Sequence, residues 1–184
     1  MRMYNFSYLQ SDTTVLIDNA HKNRSYWDNF MTGGESTWTG SALSMRIGQI
    51  SEEGIARSDD DRIRVACSQE SVLSSFHLWI IVGEWTTATT DCAKYLHGRG
   101  QSARYGGSCP GKTGSGATFS EEYKTSLRKY WEAQTITFEK GDGWVQLTWK
   151  AEEADDWSYQ AGLEYGWIPQ DPTNRMYPGI CDGH

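Results

Sequence analysis

Ile80-Ile81-Val82-Gly83-Glu84-Trp85 is a short apolar run that ends in a carboxylate held between a glycine and a tryptophan. Residues 78–82 are too few to cross a membrane and rich in β-branched side chains, which predicts a fully covered strand of the kind found in parallel sheets. Such a strand delivers Glu84 to its rim. Gly83 leaves room for close approach of backbone or ligand, and Trp85 offers a flat apolar face of the sort that packs on a sugar ring. A solvated, idle Glu at a strand end is the plainer reading of the same residues, and the rest of the chain has to decide between the two.

Upstream, Thr13-Thr14-Val15-Leu16-Ile17 reads as a buried strand that stops at Asp18-Asn19, and Tyr26, Trp27 and Phe30 suit one short helical turn packed on a sheet. From residue 32 to 48, glycines and serines break every period, so that stretch reads as loop with a weak strand at 42–47. Ser51-Glu52-Glu53 and Asp59-Asp60-Asp61 offer helix starts, with acids at the positive end of the dipole. The aspartate triplet lacks the alternating spacing and closing Glu of a calcium loop, so capping is the better reading. Downstream, the hydroxyls of residues 86–90 could cap a helix over 91–97 ended by Gly98. Ser120 opens the clearest helix, with Tyr123, Leu127, Tyr130, Trp131, Gln134 and Phe138 on one face and Gly141 at its end. Residues 144–150 then read as a strand with Trp149 at its end. Helix followed by strand is the α/β pattern. Residues 151–184 are polar, turn-rich and aromatic, and read as a wrapping tail closed near Cys181.

At 184 residues the chain is one domain by length. A net charge of -7 without a basic run repels an anionic polymer, which argues against nucleic acid as partner. Nine Trp and ten Tyr supply a large aromatic surface suited either to a core or to neutral sugars. Cys67, Cys92, Cys109 and Cys181 lack the paired spacing of a zinc site, and an even number at wide intervals suits two disulfides in a secreted protein. Asn5-Phe6-Ser7 and Asn23-Arg24-Ser25 are glycosylation sequons that point the same way. Residues 1–6 carry no hydrophobic stretch, so no secretory signal is expected in the sequence as it stands, and no segment has the length and apolarity of a membrane span. Residues 106–113 fit the phosphate-cradle pattern GxxxxGK[ST]. Arg104-Tyr105 before it and Gly114-Ser115-Gly116 after it deny that motif its strand and its helix.

Val82-Gly83-Glu84-Trp85, Thr90-Asp91-Cys92-Ala93-Lys94-Tyr95-Leu96, Ala103-Arg104-Tyr105 and Gly107-Ser108-Cys109 resemble the C-terminal half of fungal exo-1,3-β-glucanases, the glucan 1,3-β-glucosidases of glycoside hydrolase family 5, also called cellulase family A. The likeness runs on through residues 128–134, Gly143-Trp144-Val145, Trp149-Lys150, Trp157-Ser158-Tyr159-Gln160 and Ile168-Pro169-Gln170. A weaker echo covers residues 15–32. The resemblance implies an α/β chain forming a partial (β/α)8 TIM barrel, roughly strands five to eight, as a single incomplete glycoside hydrolase domain over 1–184. Within it, residues 32–50 are a divergent loop segment and 151–184 the tail. It also implies an extracellular or cell-wall location.

In that family the reaction releases glucose from β-1,3-glucan with retention, and no metal or cofactor takes part. Two carboxylates about 5 to 5.5 Å apart are needed, one to attack and one to protonate. The resemblance makes Glu84 the nucleophile at the end of strand seven and Trp149 the aromatic platform at the end of strand eight; Trp85, read from its own flat apolar face, is a further candidate for the sugar. It pairs Cys92 with Cys109 and Cys67 with Cys181. The expected partner is β-1,3-glucan or a related glucoside, with no nucleic acid and no membrane, and the oligomeric state is left open. The family's Asn-Glu-Pro acid/base motif does not occur in this sequence, and its His-x-Tyr motif would fall in residues 32–50, where the likeness lapses as a frame or splice error or a decayed gene would make it lapse. Glu35, Glu152 and Glu164 are the remaining candidates for the acid. The alternative is a non-catalytic glucan-binding remnant or an inactive truncated fragment.

Overall fold

A computed structural model of the chain describes residues 15–22, 24–27, 41–77 and 79–183. Their centre is a four-stranded, wholly parallel sheet in sequential order: β1 (Val15–Asp18), β2 (Ser41–Arg46), β3 (Trp79–Glu84) and β4 (Gly143–Trp144). Parallel neighbours need crossovers, and here these carry helices: α1 (Arg24–Trp27) after β1, α2 (Glu52–Ala56), α3 (Asp59–Cys67) and α4 (Glu70–Ser74) after β2, and α5 (Glu121–Phe138) after β3. This mixed α/β layout is compatible with part of a TIM-like fold.

The helices start where their caps place them. Ser51, Ser58 and Ser120 each accept a hydrogen bond from a backbone N–H three residues on, and acids occupy all three first turns. On α5 the six residues of the apolar face are all buried. Leu127, Trp131 and Phe138 pack with Ile80 and Val82 of β3 into the main core, while Tyr130 and Ala133 meet Ile63, Ala66 and Cys67 of α3 in a second one.

Residues 151–183 hold a short helix, α6 (Tyr159–Tyr165), and then fold back along α5. Glu132, fully buried, is ion-paired with Arg128 and accepts the backbone N–H groups of Met176 at 2.8 Å and Tyr177 at 2.6 Å. Arg128 donates to the Asn174 carbonyl, and the Cys67–Cys181 disulfide ties the far end to α3. A buried charge pair that also bonds three backbone groups of the tail holds a segment that otherwise has little regular structure.

Several expectations need correction. The strand at 15–17 is not buried: Val15 is 42% and Leu16 52% exposed, because β1 is the edge of the sheet among the described residues. Nor is β3 covered on both faces, since Ile80 and Val82 are buried under α5 whereas Trp79 is exposed on the opposite face. The weak strand at 42–47 is a full member of the sheet, β2. Residues 91–97 form turns instead of a helix: Asp91 turns inward to bind the backbone of residues 104 and 105, and the Cys92–Cys109 disulfide folds the segment on itself. The strand expected over 144–150 is regular only at its start. Val145 and Leu147 still donate to the carbonyls of Val82 and Trp85, after which Thr148 turns away to bond Trp157. The GxxxxGK[ST] stretch is a run of turns with no helix at Lys112-Thr113.

Candidate active site

Parallel strands bring their C-terminal ends to one edge, and three of the four ends in this sheet, those of β1, β2 and β3, are Asp18, Arg46 and Glu84. Their side chains meet. Arg46 Nε donates to Asp18 Oδ2 at 3.2 Å, Arg46 Nη1 lies 3.3 Å from Glu84 Oε2, and the same nitrogen is 3.4 Å from His21 Nε2. One guanidinium thus spans two strand-end carboxylates, all of them part-exposed. The Asp18 carboxyl is held below the usual carboxylate range by the Ala20 N–H above all and also by Arg46 and His21.

The register of β2 and β3 explains how Glu84 reaches Arg46. Met45 pairs with Val82, but its successor Arg46 pairs with Glu84, so Gly83 is the extra residue of a bulge. A Cβ on Gly83 would lie 2.2 Å from Ser44 Oγ, so any larger residue there has to displace that hydroxyl. Glu84 is fixed on both sides. Its carbonyl accepts the Ile47 N–H at 3.0 Å, and the next residue, Trp85, is sunk in the core.

Trp85 is 1% exposed, with its ring edge-on to Phe138 at 5.3 Å and to Trp144 at 5.4 Å. It presents no face to a sugar, and its part is to seat the residue before it. Trp149 is the opposite case at 61% exposed. It stacks on Tyr159 at 5.9 Å and 23°, and its carbonyl accepts the Gln160 N–H, so an open aromatic face is held in place by the start of α6. Glu152 and Glu164 are exposed in the segment that follows. Glu152 lines an open cleft of about 440 Å³ with Tyr95, Leu96, Leu147 and Trp157, and Glu164 a smaller hollow with Lys150, Ser158 and Gln160. Glu35 lies outside the described residues.

The loop that leaves Trp85 is unusually well packed, with Thr86, Thr87, Thr89, Thr90 and Asp91 all buried. Asp91 Oδ2 accepts the N–H of Arg104 at 2.6 Å and of Tyr105 at 3.0 Å, and lies 2.7 Å from His97 Nε2. Burial works to raise the Asp91 carboxyl, but these contacts outweigh it and hold it low. The Cys92–Cys109 disulfide closes the same loop. Among the described residues no group of three His, Cys, Asp or Glu side chains could hold a metal ion, and no helix is long and apolar enough to cross a membrane.

Arg46, Asp18 and His21 carry no sequence signal as a site, because 28 residues separate Asp18 from Arg46 and only the sheet order joins them. The described residues thus place a carboxylate with a cation beside it at one strand end and an exposed aromatic face after the next strand. No protein-family model matches the chain. Over 97% of its length it is 36% identical to the glucan 1,3-beta-glucosidase of Lachancea kluyveri, covering 45% of that protein. It is likewise 36% identical, over 94% of its length, to the glucan 1,3-beta-glucosidase of Candida oleophila and to the probable glucan 1,3-beta-glucosidase A of Aspergillus niger, covering 43% of each. The chain is therefore similar, along nearly all of its length, to fungal glucan 1,3-beta-glucosidases, and spans less than half the length of these curated relatives.

Proposed function

We propose that this chain is the C-terminal half of a retaining family 5 glycoside hydrolase that removes glucose from β-1,3-glucan. Its four strands correspond to strands five to eight of the barrel, with Glu84 as nucleophile and Trp149 as the platform for the sugar. The observation that carries this reading is Glu84 at the C-terminal end of a central parallel strand, where sites of such barrels lie, in a chain whose relatives are named for that activity. In the first step a Glu84 oxygen attacks the anomeric carbon, and the bond to the leaving oxygen breaks with its electron pair. Water then attacks the same carbon and returns Glu84 as carboxylate.

The leaving oxygen needs a proton, and Asp18 is a poor source because it is held ionised. A missing general acid costs about 100- to 10,000-fold in rate. That observation favours a second reading for the chain by itself, a glucan-binding remnant that uses Trp149 without turnover. The two disulfides agree with use in an oxidising compartment, outside the cell or in its wall.

Glucose release from laminarin, a β-1,3-glucan, separates the readings. Release that vanishes in Glu84→Ala supports the hydrolase, whereas laminarin binding that survives Glu84→Ala and fails in Trp149→Ala, without turnover, supports the remnant. Neither release nor binding would sink both.

A further inference from the structure

We infer that Arg46 is the positioning residue of Glu84, an inference that rests on Glu84 being the nucleophile. Three features converge on it. The bulge at Gly83 shifts the register by one residue, so that Glu84, and not Gly83, stands opposite Arg46. The main chain is pinned at the same level by the bond from the Ile47 N–H to the Glu84 carbonyl. The guanidinium then pairs with Glu84, its Nη1 lying 3.3 Å from Oε2.

A nucleophilic carboxylate has two oxygens, and one must be left to attack. With Arg46 beside Oε2, charge is neutralised at that oxygen and rotation of the carboxylate is restrained, which makes Oε1 the oxygen offered to the substrate in this inference. Arg46 is itself fixed from the other side by Asp18 at 3.2 Å, with His21 Nε2 at 3.4 Å from Nη1. Asp18 therefore acts through Arg46: it aims the cation, and its own charge keeps the guanidinium from collapsing fully onto Glu84. Lysine would supply the charge at this place but not the fork that reaches two carboxylates at once.

The test uses the full chain and 2,4-dinitrophenyl β-D-glucoside, whose phenolate leaves with the bonding electron pair and needs no proton. Proton donation in the first step is thereby taken out of the measurement, and the pre-steady-state burst reads glucosylation before water enters. Mass spectrometry of the Glu84 peptide reads the glucosyl adduct, and dinitrophenolate release reads the rate. Arg46→Met is expected to slow glucosylation of Glu84 by about tenfold to a hundredfold at unchanged KM, the loss typical of a misplaced reacting group. Arg46→Lys should restore part of it, and Asp18→Asn should cost less than Arg46→Met. Release that depends on Glu84 but is the same in Arg46→Met overturns this inference and leaves the nucleophile reading standing. Release absent from the wild-type chain, or unchanged in Glu84→Ala, overturns both. If Arg46→Met fails to fold by circular dichroism, Arg46→Lys decides alone: full wild-type rate there means that charge suffices and the fork does not position Glu84.

Discussion

Two loops leave the same edge of the sheet, and each buries an aspartate. Asp91, in the loop after β3, gathers three contacts on its Oδ2: the N–H groups of Arg104 and Tyr105 and the ring of His97. Asp156, in the loop after β4, is fully buried with neither oxygen in hydrogen-bond geometry to a partner. Burial pushes its carboxyl up to about 7, and its own backbone N–H, with the nearby Thr113 hydroxyl, counters only part of that. The same residue type is thus an ionised tie in one loop and a neutral plug in the other. The partners within reach decide which, and burial alone does not.

The largest expected effect comes from removing Asp91, whose Oδ2 gathers all three contacts while Oδ1 is buried without a partner. Asp91→Ala leaves two part-buried backbone donors and His97 without their acceptor, and should cost about 2 to 4 kcal/mol in urea unfolding at neutral pH. A cost below about 1 kcal/mol would mean that water replaces the carboxylate and that the loop is not tied by it. Cys92→Ser/Cys109→Ser removes the other tie and should cost about 3 kcal/mol for a loop of this size. In the Asp91→Ala background that cost should shrink, since both ties restrain one loop.

Asp156 should respond in the opposite sense. Its folded-state pKa lies above its ordinary value, so its contribution to stability is complete below about pH 4 and is lost as pH rises through about 7. The rise from 3.8 to about 7 corresponds to on the order of 4 kcal/mol at about 1.36 kcal/mol per pH unit. Asp156→Asn keeps the shape without the charge, and should be the more stable protein at pH 8 while differing little at pH 4.5. Asp91 runs the other way: its pKa is depressed, so its contribution holds above about pH 4 and falls away in stronger acid. Unfolding midpoints across this range should therefore peak in mild acid for the wild-type chain, and the peak should broaden to neutral pH in Asp156→Asn. Parallel profiles for the two proteins would place the proton elsewhere.

These differences mark what a reading of the residues reaches. The face of α5 is legible because a period of 3.6 and a serine cap are local signals, and all six residues predicted for its buried face are buried. The strand delivering Glu84 is legible for the same reason. Asp91 and Asp156 are not distinguishable in sequence, because their partners come from residues 97–105 and from the packing around Thr113. Trp85 and Trp149 look alike as aromatic residues near strand ends. Only the packing of Phe138 and Trp144 shows that the first is core, and only Tyr159 shows that the second is a fixed plate. Arg46 was hidden twice, by the glycine-rich stretch before it and by a bulge that no periodicity reveals.

The smallest effect concerns that bulge, which sets the rim from which both loops depart. Gly83→Ala puts a Cβ 2.2 Å from Ser44 Oγ while the Ser44 Cβ stays 3.5 Å away, so the clash is with the hydroxyl alone. Overpacking of this size costs about 1 to 3 kcal/mol. Ser44→Ala removes the offending oxygen, and the double variant Gly83→Ala/Ser44→Ala should recover most of the loss. Recovery in stability without recovery of the Glu84 reaction would mean that the register slipped to relieve the strain and carried Glu84 away from Arg46. Recovery of both would show that the bulge survives and that glycine is needed at this position for space, not for an unusual backbone angle.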